Sequence, residues 1–479
     1  MEIRGKKITI VGLGRSGLGA ANLLSELGAD VTVTDRRPEE ELIEFREKLG
    51  PSIRLALGRH PEDVFVSSDL LVISPGVPLG IPPLSKALEN GTPVIGEFEL
   101  AYQLLSNRSL QLGSEEAAVS IRIPFLAVTG TNGKSTTTSL LNAMLRKGGF
   151  RTILGGNIGN ALTEEIHKRT AKSDLEVDYV VAEVSSFQLE TIKDFRPKGA
   201  VILNITPDHL DRYHSFREYA EAKARIFENQ REEDFLVLNA DDPETMKITT
   251  EKLEVTSKKL KIFYFSRKKE VEGIYFKDGK IYCNFHDLST VTRHSLLIAS
   301  EEIKIEGVHN LENAMAASAM ALLAGSSIEA VRDALRTFPG LEHRLEFVKE
   351  IDGVKYINDS KGTNVGAVVK SLESFASPVI LIAGGRDKAG DFTLLRNLVK
   401  ERVKALVLIG ESREKMKKAL GNFTETFEAT DLTKAVRISK NIGTKGDVIL
   451  LSPACASFDM FVDFEDRGRQ FKKIVMELT

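Results

Sequence analysis

The residues of this sequence best suited to chemistry lie in a glycine-flanked loop that ends in Lys134 and Ser135. The apolar stretch FLAVTG leads into the loop, which spans residues 130–136 as GTNGKST, and a threonine-rich helix start follows. Backbone N–H groups of such a loop and the positive end of the next helix bind phosphate, while the lysine adds a point charge and the hydroxyl can ligate Mg²⁺. Val128 replaces the first glycine of the usual pattern. The strand–loop–helix context still favours a nucleoside triphosphate site over a helix start that Ser135 merely caps.

A second glycine-rich turn, GLGRSG at residues 12–17, follows the first strand pattern, and Asp35 ends the next strand pattern. Alone, this arrangement is typical of a dinucleotide site in which the acid binds ribose hydroxyls. It is equally compatible with a nucleoside diphosphate site, or with a tight turn that binds nothing. The block covers only about 100 residues, which is short for the two halves of a full dinucleotide site. We therefore favour the diphosphate over NAD.

Length and composition indicate an ordinary globular protein of several domains. The chain has 479 residues, of which 42% are hydrophobic and 28% charged, and about 150 residues per domain suggests three domains. A net charge of −3 gives no basic footprint for nucleic acid. Two cysteines, Cys283 and Cys455, fit a reducing cytosol. The sequence shows no signal-peptide layout and no apolar run of the roughly 20 residues that a membrane span needs, so we expect a cytoplasmic protein without membrane insertion.

Alternating strand and helix patterns predict an α/β fold of three domains with mainly parallel sheets. We expect a Rossmann-like domain at 1–106, a polar linker at 107–122, a central P-loop ATPase-like domain at 123–339 and a Rossmann-like C-terminal domain at 340–479. Residues 255–306 are β-prone and charged, which suggests an antiparallel excursion. The stretch SPACASFD, after the last strand pattern, predicts a helix N-terminus that offers hydroxyl and N–H donors.

Nine motifs occur in an order that resembles the Mur ligases of peptidoglycan synthesis. They are GTNGKSTTT, GGNIGNAL, AEVSSFQLE, LNITPDHLDRY, EYAEAKARIF, GVHNLENAMAA, LEHRLE, INDSKGTN and LSPACASFDMF. The last two resemble the members that add D-glutamate. The Asp-Asn-Pro-Arg motif of the members that add diaminopimelate or lysine is missing from the third block. The resemblance covers nearly the whole chain.

The resemblance implies a ligase that takes UDP-N-acetylmuramoyl-L-alanine and D-glutamate as substrates. ATP would phosphorylate the L-alanyl carboxylate, and the amine of D-glutamate would attack the acyl phosphate. Two Mg²⁺ ions, which Mn²⁺ can replace, would assist a monomeric enzyme that serves cell-wall biogenesis, cell shape and cell division. Alternatives stay open: another amino acid, a folylpolyglutamate synthetase, a nicotinamide-dependent oxidoreductase using the N-terminal loop, or a nucleotide sensor without catalysis. A folylpolyglutamate synthetase would not need the N-terminal nucleotide domain.

The resemblance places ATP between the second and third domains. The implied ATP-binding residues are Gly130, Thr131, Asn132, Gly133, Lys134, Ser135, Thr136, Asn310, Asn313, Arg344 and Asp359. Asn310 and Asn313 stand three apart and share one face of a helix start. An Asn at a helix start also suits an N-cap, a role that Asn310 could serve at the same time.

The implied catalytic residues are Lys134, Glu183, His209 and Lys223. Metal ligation is implied for Ser135, Glu183, His209 and for Lys223 as a carbamate formed with CO₂. The residues alone support Glu183, because it ends an apolar strand pattern at the edge where ligands bind in such sheets. His209 follows a buried strand, although a lone histidine is more often structural. Without the resemblance, Lys223 is typical of a half-exposed helix lysine.

The resemblance also implies contacts to the two substrates. The implied substrate-binding residues are Asp35, Arg36, Arg37, Ser74, Gly76, Asn157, Ser185, Lys361, Thr363, Lys388, Ser457, Phe458 and Phe464. The first five would hold uracil and diphosphate, and those from Lys361 onward would hold the carboxylates of D-glutamate. Simpler explanations compete for three of them: a solvated charge run for Arg37, a turn-forming role for Asn157 and an exposed loop for Lys388.

Overall fold

Buried apolar strands, each followed by a helix or a polar loop, build three separate sheets in the computed structural model of this chain. The structure describes residues 2–106, 123–170, 176–210, 212–256, 259–286, 288, 292–305, 307–388 and 390–478. The linker predicted at 107–122 lies outside these residues. The α/β fold with mainly parallel sheets is confirmed. Among the described residues, none of the helices combines the length and apolar character that spanning a bilayer requires.

The first sheet has five parallel strands in the order β3-β2-β1-β4-β5. Its elements are β1 (Lys7–Val11), α1 (Arg15–Glu26), β2 (Asp30–Asp35), α2 (Ile43–Arg46), β3 (Arg54–Leu57), α3 (Glu62–Val66), β4 (Leu70–Ile73), α4 (Pro82–Glu89), β5 (Val94–Gly96) and α5 (Glu97–Ser106). Strand β1 lies between β2 and β4, so the loops after these three strands meet at one edge of the sheet. This is the edge where open α/β sheets bind ligands.

The second sheet has nine strands in the order β14-β13-β12-β11-β10-β9-β6-β8-β7. The elements are β6 (Phe125–Thr129), α6 (Lys134–Lys147), β7 (Thr152–Gly156), α7 (Leu162–Thr170), β8 (Tyr179–Glu183), α8 (Ser186–Leu189), β9 (Gly199–Ile202), α9 (Phe216–Ala224), β10 (Phe235–Asn239), α10 (Pro243–Thr256), β11 (Lys261–Ser266), β12 (Gly273–Lys277), β13 (Lys280–Asn284), β14 (Ser295–Ala299), α11 (Val308–Leu323) and α12 (Ile328–Thr337).

The predicted antiparallel excursion at 255–306 is only partly correct. Residues 255 and 256 end helix α10, and β11 pairs in parallel with both β10 and β12. Among the described residues of this stretch, the antiparallel pairs are β12 with β13 and β13 with β14. Strand β11 carries the apolar run IFYF, which lets it extend the parallel core before the chain turns back.

The third sheet has six strands in the order β15-β16-β20-β17-β18-β19, with β15 antiparallel to β16. Its elements are β15 (Glu346–Ile351), β16 (Val354–Asn358), α13 (Val365–Glu373), β17 (Val379–Gly384), α14 (Arg396–Arg402), β18 (Val403–Ile409), α15 (Arg413–Leu420), β19 (Glu425–Glu428), α16 (Leu432–Ile442), β20 (Val448–Leu451) and α17 (Phe464–Met476). The helix start predicted at SPACASFD is wrong. Helix α17 begins at Phe464, where the Asp463 side chain accepts a hydrogen bond from the N–H of Asp466.

The first two sheets share one apolar core, because a single cluster of buried side chains joins β1 and α1 to β6 and β9. Two buried glutamates of α5 reinforce this contact. The Glu99 carboxylate accepts hydrogen bonds from three successive backbone N–H groups, those of Lys193, Asp194 and Phe195, at 2.9 to 3.1 Å. Oε1 of Glu97 accepts from both the N–H and the hydroxyl of Thr163, at 2.9 and 2.7 Å. The N-terminal unit is therefore fixed on the central one.

Glu97 should make the stability of this contact depend on pH. Burial raises the pKa of Glu97 above its ordinary 4.5, so the folded chain keeps this proton to a higher pH than the unfolded chain does. The contribution of this carboxyl to the free energy of unfolding should therefore fall as the pH rises from 4.5 through the folded-state pKa. Glu97→Gln keeps an oxygen for Thr163 but does not titrate, so its Tm should decline less over that range.

Thermal unfolding at a series of pH values measures this slope. The matched control is Glu89→Gln, which changes an exposed glutamate of α4 and should keep the wild-type slope. A Glu97→Gln slope equal to that of the wild type would contradict the prediction.

Candidate active site

The loop between β6 and α6 surrounds the amine of Lys134. Its Nζ donates hydrogen bonds to the carbonyl oxygens of Gly130 and Thr131, at 2.8 and 2.7 Å. Lys134 is the first residue of α6, so the free N–H groups of that helix start point into the same loop. Burial lowers the pKa of Lys134, against the opposing influence of Glu183 and Asp208. A buried amine at a helix N-terminus is a strong site for an anion such as phosphate.

Gly133 is required by the geometry of this loop. Its φ of +85° is in the left-handed region, and a Cβ placed there would lie 2.2 Å from Oδ1 of Asn313. Asn313 in turn accepts a hydrogen bond from the Thr137 hydroxyl and donates one to Oδ1 of Asn310. Helix α11 therefore packs its two asparagines directly against the loop, and only glycine leaves the room.

Glu183 ends β8 beside this loop and has one carboxylate oxygen engaged. Its Oε1 accepts a hydrogen bond of 2.8 Å from Nδ2 of Asn157, and its backbone oxygen accepts one of 2.8 Å from the Asn157 N–H. Oε2 is buried and has no hydrogen-bond partner among the described residues. A buried, unpartnered carboxylate oxygen is costly, which suits a position that receives a cation.

Lys223 is buried in α9, with only 1% of its surface exposed. The expectation of a half-exposed lysine, which the residues alone favoured, is therefore wrong. Its Nζ donates a hydrogen bond of 2.8 Å to the Gly130 oxygen and lies 4.7 Å from the centre of the Tyr219 ring. Burial and the neighbouring Lys134 ammonium hold the pKa of Lys223 well below its ordinary value. Both effects disfavour the protonated form of this side chain.

His209 follows β9 in a strained backbone conformation, with a φ of +55°. The preceding carboxylate supports it: Oδ1 of Asp208 accepts a hydrogen bond of 2.9 Å from the His209 N–H, and Oδ2 lies 3.8 Å from Nε2. The imidazole also packs edge-on against Phe187, with ring centres 4.8 Å apart. Positive φ outside glycine often marks a functional residue.

A cavity of about 330 Å³ lies between the central and C-terminal units. It is lined by seven residues of the predicted ATP set, namely Asn132, Gly133, Thr136, Asn310, Asn313, Arg344 and Asp359. Its size is in the range of small-ligand sites. Asn310 does not cap α11, because Gly307 occupies the N-cap position. The Asn310 side chain, which accepts the hydrogen bond from Asn313, forms part of the cavity wall.

Arg344 and Asp359 bring the C-terminal unit to this cavity. Nη2 of Arg344 donates a hydrogen bond of 2.7 Å to the Ser135 hydroxyl, across the gap between the two units. The Asp359 carboxylate accepts from the hydroxyls of Ser371 and Ser452, at 2.7 Å each. Burial raises the pKa of Asp359 to about 6 even so.

A second, wider groove of about 1100 Å³ is bordered by all three units. Gly76 comes from the first, His209 from the second, and Lys388 and Phe458 from the third. Lys388 is half-buried and therefore not the fully exposed loop lysine that the residues alone suggested. Phe458 is 63% exposed, an unusual state for so large an apolar side chain at the mouth of a groove.

The remaining residues predicted to bind the amino acid form two loops joined by a buried arginine. Nζ of Lys361 lies 3.7 Å from the centre of the Phe464 ring, and burial lowers the pKa of this amine to about 7. Arg467, fully buried in α17, donates to the hydroxyl and carbonyl of Ser360 and to the carbonyl of Cys455. The loop holding Lys361 and Thr363 is thereby tied to the loop holding Ser457, whose side chain is also buried. Lys361 lines the cavity between the units, not the wider groove.

In the N-terminal glycine loop, the carboxylate of Asp35 is already bonded to neighbouring groups of the protein. Oδ2 of Asp35 accepts a hydrogen bond of 2.8 Å from the Leu13 N–H, and the carboxylate pairs with Arg37 at 2.8 Å. Burial works to raise the pKa of Asp35, but the bonds from Arg37 and Leu13 hold it below its ordinary value. The Ser74 hydroxyl donates to the Gly12 oxygen at 2.8 Å. Arg36 and Gly76 are exposed beside them.

Two polar residues at the centre of the site were not predicted from the sequence. Asp208 fixes His209, and Asn364 reaches Asp208 from the C-terminal unit with a hydrogen bond of 3.1 Å. The signal for Asp208 was its place directly after a strand, next to His209. Ser185 was predicted as a substrate contact, and the structure shows it as the N-cap of α8, bonded to Gln188. These capping bonds do not test the predicted contact between Ser185 and a substrate.

The fold and the loop around Lys134 define a phosphate-binding α/β protein of three units, and comparison gives the family. "Mur ligase MurD-like, N-terminal domain" matches residues 6–96, "Mur ligase middle domain" residues 128–321, and "Mur ligase, glutamate ligase domain" residues 343–455. The UDP-N-acetylmuramoylalanine–D-glutamate ligase of Geotalea daltonii is 46% identical, across 100% of this chain and 99% of its own. That of Caldanaerobacter subterraneus is 43% identical across 100% of both chains. The chain belongs to the Mur ligase family.

Solved structures share the fold at much lower identity. A pseudomurein peptide ligase type C from Methanothermus fervidus superposes with a TM-score of 0.60 at 19% identity, covering 99% of this chain and 100% of its own. The UDP-N-acetylmuramate-alanine ligase MurC of Thermotoga maritima gives 0.59 at 20% identity, covering 98% and 99%. These similarities show that this chain shares its fold with both structures.

Gly133→Ala should abolish nucleotide binding. The added methyl group would push against Asn313 and displace the loop that holds Lys134. Gly149→Ala is the matched control, because Gly149 also has a left-handed φ, of +88°, with nothing within 4 Å of its Cβ position. Both variants carry backbone strain of roughly 1–2 kcal/mol, but only the first has the clash. Calorimetric titration with ADP should show binding in the control alone; equal affinities would contradict the prediction.

Proposed function

We propose that the protein is an ATP-dependent ligase that adds D-glutamate to UDP-N-acetylmuramoyl-L-alanine, an amide-forming step of peptidoglycan precursor synthesis. The observation that carries the proposal is similarity to D-glutamate ligases over the whole chain, at 43% to 47% identity. The buried lysine of the phosphate loop supports it, because such a reaction consumes a triphosphate. In a nicotinamide-dependent oxidoreductase, the acid after the second strand would bind ribose hydroxyls. Asp35 is instead bonded to Leu13 and Arg37, which favours the ligase.

The reaction makes and breaks bonds to phosphorus and carbon in turn. The L-alanyl carboxylate attacks the γ-phosphorus of ATP and ADP leaves. The amine of D-glutamate then attacks the acyl phosphate, and loss of phosphate and a proton gives the amide. Negative charge develops on the transferred phosphoryl group, so cations held in place beforehand lower the barrier. Lys134 would supply such a charge, and Arg344 would add another from the C-terminal unit.

The residues present fit divalent cations. The unpartnered Oε2 of Glu183 lies in a site that also contains the hydroxyl of Ser135, and Mg²⁺ prefers oxygen ligands. Ser135 and Glu183 would hold one Mg²⁺, and His209 and a carbamate on Lys223 would hold the other. Bound there, Mg²⁺ or Mn²⁺ would offset the charge of the triphosphate.

Lys223 would act as a carbamate and not as an ammonium. Burial and Lys134 disfavour the ammonium form of Lys223. Its amine form can add to CO₂ and lose a proton, which gives an anion beside Lys134. The carbamate nitrogen keeps one N–H, so the hydrogen bond to the Gly130 oxygen can persist. The change removes a like-charge repulsion and provides two hard oxygen ligands.

D-Glutamate would bind between the two loops that Arg467 joins. Its two carboxylates need cationic and hydroxyl donors, and Lys361, Thr363, Lys388 and Ser457 are the proposed donors, with the backbone around Phe458 and Phe464. The wide groove would hold the sugar. Arg36, Arg37, Ser74 and Gly76 would contact uracil and diphosphate, while Asp35 shapes the loop from within.

Several properties follow from this function as further proposals. The three units would be domains bounded at 1–106, 123–339 and 340–479. The protein would act as a cytoplasmic monomer, where ATP and nucleotide-linked sugars are available, and would support cell shape and division through wall synthesis. Both cysteines are free and buried, which suits a reducing compartment.

An amino-acid panel tests the proposed function directly. With UDP-N-acetylmuramoyl-L-alanine and ATP present, D-glutamate should drive phosphate release, and L-alanine, L-lysine and meso-diaminopimelate should not. Because donors left without a carboxylate are costly, we expect discrimination of about 10⁴-fold. L-Glutamate is the most stringent control, since it has the same functional groups with the opposite chirality. Equal use of both enantiomers, or reduction of NAD instead of phosphate release, would contradict the proposal.

Substitutions of Lys223 separate the carbamate from an ordinary lysine. Lys223→Ala should be nearly inactive, and acetate or formate should partly restore it by filling the vacated space. Lys223→Arg stays charged and should not be rescued. Carbon-13 NMR with labelled CO₂ should show a carbamate signal in the wild type that is missing from Lys223→Ala. Near-normal activity of Lys223→Ala without added carboxylate would show that the carbamate is not needed.

A further inference from the structure

One asparagine joins the first turn of α13 to the phosphate loop. Oδ1 of Asn364 accepts a hydrogen bond of 2.8 Å from the Ala367 N–H, which caps the helix. Nδ2 of the same side chain donates to Oδ2 of Asp208 at 3.1 Å and lies 3.4 Å from Oδ1 of Asn132. Asn364 therefore touches both the loop that holds Lys134 and the turn that holds His209.

The contact is more than a helix cap. Ser215, Ser327 and Asp431 cap other helices with an oxygen alone, and an N-cap requires only that acceptor. Asn364 adds an amide donor that crosses to another unit. Neither aspartate nor serine offers both an acceptor and an N–H₂ donor on one short side chain.

Neighbouring backbone brings α13 equally close to the same loops. A Cβ built on Gly366, in the first turn of this helix, would lie 3.4 Å from Nδ2 of Asn132 and 3.7 Å from Oγ1 of Thr206. These are ordinary van der Waals distances, so the helix start lies next to both loops. The hydrogen bond from Asn364 is part-buried, at the border between the two units.

Asp208 transmits this contact to the histidine. One of its oxygens holds the His209 N–H and the other receives Asn364. His209 has a φ of +55°, a conformation that persists only where surrounding groups enforce it. If the C-terminal unit moves away, Asp208 loses the donor that fixes its rotamer, and the support of His209 weakens.

We propose that Asn364 is a positioning residue that couples the seating of the C-terminal unit to the orientation of His209 through Asp208. Its effect on turnover rests on the proposed function, whereas its effect on the seating of the unit does not. The histidine reaches its working orientation only once the unit that carries Lys361 and Asp359 is in place. Phosphoryl transfer before the amino-acid-binding unit has arrived is thereby disfavoured.

A swap of the two polar partners tests the coupling. Asn364→Asp keeps the capping oxygen but loses the donor and sets two carboxylates against each other, so kcat should fall about 100-fold, with the KM of the UDP substrate within about twofold. Asp208→Asn should also lower kcat. The double variant restores one donor and one acceptor with the total charge unchanged, and its kcat should exceed the product of the two single losses by at least about tenfold.

Two further variants complete the set. Asn364→Ser keeps a capping oxygen without the amide donor, and it decides the question if Asn364→Asp does not fold, as judged by thermal unfolding. Asp431→Asn makes the reverse change at the N-cap of α16, away from the site, and should leave kcat unchanged. Wild-type kcat in Asn364→Asp, or in Asn364→Ser where the first variant does not fold, overturns the proposal. So does a double variant whose losses simply multiply.

The distance between spin labels on the central and C-terminal units reports the position of the C-terminal unit without requiring catalysis. Spin labels on Val255→Cys of α10 and Lys418→Cys of α15 occupy exposed positions on the two units, and both native cysteines are buried. With ADP and Mg²⁺, the full-length wild type should give one short distance population, and Asn364→Asp should add a second, longer one. A wild-type distribution in Asn364→Asp overturns the coupling. If the chain lacks ligase activity altogether, this measurement still decides the proposal.

Discussion

Two buried amines share a single acceptor at the centre of this protein. Lys134 and Lys223 each place Nζ 2.8 Å from the carbonyl oxygen of Gly130, in a region where the low dielectric makes like charges repel strongly. Burial lowers the pKa of both amines, and the charge of Lys134 lowers the pKa of Lys223 further. Nearby anions reduce the repulsion between the two amines, and the carboxylates of Glu183 and Asp208 lie close enough to do so. The start of helix α6 and the cavity beside it are placed so that a further anion can bind next to these amines.

The three units are joined in two different ways. The N-terminal and central units share an apolar core, which water cannot replace without a large loss of free energy. The C-terminal unit has its own apolar clusters and meets the loops through polar contacts such as Arg344 with Ser135 and Ser374 with His309. Polar contacts exchange with water at little cost. The contact that separates more readily is therefore the one between the C-terminal unit and the central unit.

The sequence predicted most of this fold because parallel strands buried on both faces are continuous apolar runs, as in FLAVT of β6 and VILIAG of β17. Strands β3 and β19 are half exposed and lack that pattern, so apolar runs do not identify them. Glu183 was recognisable as a strand-end acid. The burial of Lys223 was not, since it depends on Gly130 and Tyr219 from elsewhere in the chain. Asn364 was equally hidden, because its partner Asp208 is distant in sequence.

Arg467 has a consequence for the order in which the site is completed during synthesis. It follows the loops at Ser360 and Cys455 in the chain, yet its guanidinium ties both together. A ribosome-bound chain that has already released the phosphate loop and the strands of the third sheet still lacks this tie. The nascent chain can therefore form the phosphate loop and the strands of the third sheet before the loops at Ser360 and Cys455 are tied together.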